Sequence, residues 1–242
     1  MAEPSLQLGN GNWAGKSDNL LAYHKANNNF YADELTFARA STGTIVNADG
    51  LIEQVPYNLV TYSNDFSNAA WSKSTLTVSS GEYGYDGTNN AWKVTSTGSG
   101  SPQLVQTTSS GVLKTQSIYA KAGSVSTLKI WVGSTKEFDL SAGTTSSANS
   151  KITDVGGGWY RCEVFDVFAN FNPFFSATAA GQYLYIQDAQ LNSGSTAKTY
   201  YPTTTRLNIP RVDYLNNANG SLLLEPQRTN TVIYSEDYSQ YL

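Results

Sequence analysis

The sequence predicts an all-β fold: a jelly-roll β-sandwich, preceded by an extended arm of short strands and followed by the start of a second repeat. Three observations carry this. Short apolar runs of period two, separated by Gly-, Ser-, Asn- and Pro-rich turns, fill residues 58–201. No window of helical length has a clean 3.6-residue period. The polar residues are mostly Ser, Thr, Asn and Gly, which suit strands and turns and form helices poorly.

Residues 1–36 form the arm. Leu6-Gln7-Leu8, Leu20-Leu21-Ala22-Tyr23 and Phe30-Tyr31 are short apolar runs broken by Gly and Asn, as expected of two or three short strands. Trp13, Leu20, Leu21 and Tyr23 are too many large side chains for so short a segment to bury, so they are expected to contact another domain or chain. A connector follows over 37–57. The sandwich spans 58–208, with strands expected at Leu76–Ser80, Ala91–Ser96, Gln103–Thr108, Lys114–Lys121, Thr127–Val132, Glu137–Leu140, Lys151–Asp154, Trp159–Val167 and Gln182–Leu191. Leu128, Ile130 and Val132 alternate with Lys129, Trp131 and Gly133, the pattern of a half-buried antiparallel strand. The single short helix or turn allowed lies near Asp65–Trp71, capped by Ser63 or Asp65.

An internal repeat organises the chain. Arg39, Glu53, Asn58, Tyr62, Ser63, Asp65 and Ser67 recur as Arg211, Glu225, Asn230, Tyr234, Ser235, Asp237 and Ser239, all at an offset of 172 residues, and Phe66 becomes Tyr238. Gly50 and Gly220 match after a two-residue shift. The element before the sandwich therefore recurs after it, over 209–242. Tyr241-Leu242 falls inside the second copy, so a further domain is expected beyond it.

Composition narrows the function. Net charge is −4, the pI is about 5.0, and no basic run occurs, which excludes the electrostatic footprint of a nucleic-acid binder. No stretch approaches the ~18 apolar residues of a membrane span, and residues 1–4 carry no signal-peptide pattern, so synthesis in a cytoplasm is expected. Cys162 is the only cysteine and sits in an apolar run, as a buried inert thiol would. His24 is the only histidine, which leaves no His-based metal cluster and makes a triad implausible. Asp139, Asp154, Glu163, Asp166 and Asp188 stand in or beside strands, but nothing in the sequence pairs them as glycosidase chemistry requires. No enzyme activity, metal or cofactor is expected. Gly156-Gly157-Gly158 lacks the Lys-Ser/Thr and helix of a phosphate loop and reads as a turn.

Aromatic residues supply the remaining candidates. Trp71, Trp131 and Trp159 lie within apolar patterns and are assigned to the core. Tyr83, Tyr85 and Asp86, in a Gly-punctuated loop, are the best candidates for contact with a glycan. Phe165, Phe168, Phe171, Phe174 and Phe175 exceed what one strand face can bury, so Phe171, Phe174 and Phe175 are assigned to a contact between chains, with an intrachain plug as the competing reading.

Several runs together resemble a module of bacteriophage tail-fibre and tail-spike-like proteins. They are Phe37-Ala38-Arg39-Ala40-Ser41-Thr42-Gly43-Thr44, Asn58-Leu59-Val60-Thr61-Tyr62-Ser63-Asn64-Asp65-Phe66-Ser67, and Leu223-Leu224-Glu225-Pro226-Gln227-Arg228-Thr229-Asn230. Ser117-Ile118-Tyr119-Ala120-Lys121-Ala122-Gly123 and Gly158-Trp159-Tyr160-Arg161-Cys162 within the sandwich fit as well, and that part is also similar to carbohydrate-binding modules. The opening Leu8-Gly9-Asn10-Gly11-Asn12-Trp13-Ala14 looks like the particle-facing start of such fibres. The resemblance implies a non-enzymatic virion protein made in the host bacterial cytoplasm. Its arm would hold other virion proteins through Trp13, Leu20, Leu21 and Tyr23. It would assemble as a homo-oligomer, a trimer by analogy with fibres, and space a host-recognition region. The alternative is a carbohydrate-binding module that itself binds bacterial surface glycans or is appended to a polysaccharide-degrading enzyme.

Overall fold

Alternation of apolar and polar residues sets the architecture. In a computed structural model, the structure describes residues 22–24, 29–31, 43–47, 49–55, 57–108, 111–204, 212–215 and 221–222. Strands β1 (Ala22–His24) and β2 (Asn29–Tyr31) pair as a hairpin, with Tyr23 opposite Phe30. His24 ends β1. Strands β3 (Thr44–Val46) and β4 (Ile52–Gln54) form a second hairpin in the first connector. The Oδ1 of Asn47 accepts the amides of Asp49 and Leu51 across that turn, and Gly50 takes a φ of +78°, which explains why glycine stands there.

The sandwich follows: β5 (Ser72–Ser74), β6 (Leu76–Glu82), β7 (Ala91–Ser96), β8 (Gln103–Thr107), β9 (Leu113–Lys121), β10 (Thr127–Trp131), β11 (Thr135–Asp139), β12 (Ser150–Gly156), β13 (Trp159–Val167), β14 (Asn170–Phe171), β15 (Pro173–Phe174) and β16 (Tyr183–Ser193). One antiparallel sheet has the order β12-β13-β9-β16-β7-β6. The other runs β11-β10-β15-β8, with β5 and β14 also paired to β8. The non-sequential strand order is that of a jelly-roll sandwich. All nine strands expected from the sequence are present. The three that were not expected, β5, β14 and β15, have two or three residues each, too few to show a period.

Inward residues of both sheets build one core. Leu128 and Ile130 face it from β10, Ile118 and Ala120 from β9, and Cys162 and Val164 from β13. Cys162 is fully buried, and desolvation raises its thiol pKa, as an inert thiol requires. Gly156, Gly157 and Gly158 all have positive φ and make the turn between β12 and β13. Of the short helix or turn expected near Asp65–Trp71, the turn is what forms: turns follow one another, with Asp65 Oδ1 accepting from Ser67 and Asn68 Oδ1 from Ala70, so short polar side chains compete for the backbone amides a helix would use. Two expectations are corrected. Trp131 is not in the core; it is 45% exposed, because Leu128 and Ile130 face inward and strand alternation turns Lys129 and Trp131 outward. Phe171 and Phe175 are not available to another chain: both are buried, Phe171 edge-on to Trp71, and Phe168 is buried too, so most of the Phe run is a plug within the chain. Phe174 is half-buried.

The repeated residues hold the first and last segments of the sandwich together. Asn58 is fully buried; its Nδ2 donates to the carbonyls of Ala189 (2.8 Å) and Tyr201 (3.0 Å), and its Oδ1 accepts from the amides of Val60 and Leu191. The amides of Tyr62 and Ser63 donate to the carbonyls of Thr204 and Thr203, and the Ser63 hydroxyl accepts from the Thr203 amide. Phe66 then enters the core against Trp71. Beyond the sandwich, β17 (Val212–Asp213) and β18 (Ser221–Leu222) pair in the second connector. The Tyr214 amide donates to the Val46 carbonyl at 2.9 Å, so the two copies of the repeat meet.

Candidate functional site

The aromatic loop after β6 was the first candidate, and its geometry is that of a latch. Tyr85 stacks flat on Tyr119 of β9, with ring centroids 3.7 Å apart and an interplanar angle of 6°. Its hydroxyl donates to Asp188 Oδ2 at 2.8 Å. Asp86 turns back on its own loop and accepts from the amide and hydroxyl of Thr88. Gly84 is buried against Gln187, where any side chain would collide. Of the three residues singled out, Tyr85 and Asp86 are engaged in holding the loop, and only Tyr83, 68% exposed, stands free of the sheet.

Asp188 is the residue that sequence reasoning left without a role. It sits in a bulge of β16, where the register slips between Gln187 and Gln190, with a φ of +54°. Its side chain is turned under Tyr85, and the residue is only 6% exposed. A carboxyl so enclosed is not presented to a substrate. Desolvation, with a contribution from the charge of Asp86, pushes its pKa up to about 6, against the hydrogen bond from Tyr85, which pulls it down. An unfolded aspartate titrates near ~3.9. The folded chain therefore binds the extra proton between about pH 4 and pH 6, and stability falls as pH rises through that window, by about 2–3 kcal/mol in all. Asp188→Asn, which tolerates the left-handed backbone, should raise the melting temperature at pH 8 and flatten the slope between pH 4 and 6. Thermal melts of both proteins across that range read the effect; an unchanged slope in the variant would assign it to other groups.

The outer face of this sheet is polar and aromatic. Lys93 of β7 lies 3.9 Å from the Tyr183 ring centroid, and Tyr183 meets Tyr185 edge-on. Arg161 of β13 approaches the Tyr119 ring and donates to the Ser117 hydroxyl and the Lys198 carbonyl. These contacts bury ring faces against cations and other rings rather than leaving them open.

The other sheet carries an open depression. Trp131, Phe174, Asn172, Gln103, Thr135 and Ser101 line a depression of about 360 Å³ on its outer face. Lys129 and Glu137 form an ion pair at 2.8 Å on the same stretch of β10 and β11. No group of three or more His, Cys, Asp or Glu able to hold a metal occurs among the described residues. Trp13, Leu20 and Leu21 lie outside the described residues, and Tyr23 is described only by its place in β1.

The fold defines an antiparallel β-sandwich module of jelly-roll type. No protein-family model matches the chain. No curated protein matches it either. Among solved structures it is similar to a carbohydrate-binding module from the β-sandwich superfamily, at 9% identity over 74% of this chain and 88% of that chain, with a TM-score of 0.33. A likeness that remote carries no argument about ligand or site.

Proposed function

We propose that the protein is a non-enzymatic module of a bacteriophage fibre, which holds its sandwich out beside the fibre for contact with bacterial surface glycans. The clip that ties residues 58–63 to residues 189–204 carries this reading. A domain whose two ends meet at one corner adds little to the length of the chain it interrupts, so it serves display better than spacing. The repeated connectors, bonded hairpin to hairpin, supply the continuing line. In the same reading the arm, residues 1–36, binds other virion proteins, the chain assembles as a homotrimer, and the product is made in the host bacterial cytoplasm.

Purified particles of the encoding phage test it. Antibody against the sandwich should label one fixed position on the particle in electron micrographs, and light scattering of the isolated chain should give three times its 26.2 kDa mass. Absence of the chain from purified particles would rule the fibre reading out.

A further inference from the structure

The register of the second sheet gathers a set of side chains on one outer patch. Lys129 of β10 pairs with Glu137 on one side and with Phe174 on the other, Phe174 pairs with Gln103 of β8, and Trp131 pairs with Thr135. Residues directly opposite one another share a face, so Trp131, Phe174, Gln103 and Thr135 emerge together. Asn172 interrupts the strand run between β14 and β15. Its carbonyl accepts the Trp131 amide at 3.0 Å, which fixes it beside the indole. Asn172 is 8% exposed, and its Oδ1 is buried without a hydrogen-bond partner.

The chemistry of this patch is specific. The depression is lined by one exposed indole, one half-buried phenyl ring, two carboxamides and two hydroxyls, and by no charged group. The nearby Lys129 and Glu137 neutralise each other. At about 360 Å³ it falls at the lower end of the ~300–1,000 Å³ of small-ligand clefts. A fitting occupant has an apolar face to cover the indole and a rim of neutral hydroxyls to meet the amides. A pyranose ring has both. We propose that the depression beside Trp131 is a sugar-binding site that takes one pyranose ring of an uncharged glycan, stacked on the indole, with its hydroxyls on Gln103, Thr135 and Asn172. This deepens the glycan-contact reading and is independent of where the chain sits on a particle.

The test uses the full 242-residue chain. A glycan array of neutral and acidic bacterial-envelope oligosaccharides selects a ligand, and titration calorimetry measures its affinity for the wild type, Trp131→Thr and Gln103→Ala. Thr suits an outward strand position, and circular dichroism checks that each variant is folded. Trp131→Thr should lower the affinity about tenfold or more. Gln103→Ala, which leaves the core untouched, should lower it several-fold, while Tyr83→Ala leaves it unchanged. Should Trp131→Thr fail to fold, Trp131→Tyr takes its place and should lower the affinity several-fold, because the smaller ring covers less of the sugar face. Neutral glycans should bind with little dependence on salt. The site is overturned if no neutral glycan binds saturably, if only acidic glycans bind, or if Trp131 and Gln103 variants bind as the wild type does. Those outcomes leave the particle-labelling result untouched.

Discussion

Replacing Trp71 with alanine is expected to destabilise the protein by about 3–5 kcal/mol, enough to unfold much of it at 37 °C. Trp71 is 2% exposed and lies just before the first strand of the sandwich. Its ring is tilted against Phe66 at 5.2 Å and stands edge-on to Phe171 at 5.7 Å. Its Nε1 donates to the Tyr62 carbonyl at 2.9 Å. Alanine would open a cavity between Phe66 and Phe171 and leave the Tyr62 carbonyl without that donor. Urea denaturation followed by Tyr fluorescence measures the loss. A change below about 1 kcal/mol would mean that residues 58–71 are not part of the cooperative unit.

A comparable loss, about 3–4 kcal/mol, is expected of Asn58→Ala, although far less volume is removed. The side chain makes four hydrogen bonds to the backbone and is fully buried. Without it the carbonyls of Ala189 and Tyr201 and the amides of Val60 and Leu191 lose these partners in a place water does not reach, and each unsatisfied buried group is costly. Asn58→Asp, isosteric but without the amide donors, should be as harmful. If Asn58→Ala melts within a few degrees of the wild type, the clip is not what joins the ends. Hydrogen exchange at Leu191 and Val60 would localise the effect when it is found.

Much of this architecture was legible because strands announce themselves. Leu128-Lys129-Ile130-Trp131 carries its alternation openly, and the same alternation already placed Trp131 with Lys129 on the outer face. The weight given to a large apolar side chain hid that signal. The repeat was legible as a pattern, but its reason was not. Asn58, Ser63 and Asp65 read as common polar residues until their partners, more than a hundred residues away for the first two, are seen. The Phe run misled because residues 168–175 are not one strand: the chain breaks at Asn172, and successive Phe residues reach different sides of the sheet. Asp188 could not be found from sequence. Its burial depends on a bulge and on a tyrosine 103 residues earlier, and neither leaves a local trace.

Tyr62 and Ser63 run hydrogen-bonded beside Thr203 and Thr204, so the backbone between them begins and finishes at one seam. Cutting at that seam and closing it with a short linker would remove the entire lobe while the flanking hairpins kept their own bond. The repeated Asn-Tyr-Ser-Asp signature places similar sequence on both sides of the cut. A lobe that is entered and left at one seam can be lost or exchanged without altering the line of the chain. The lobe is then free to change while the scaffold that carries it stays the same.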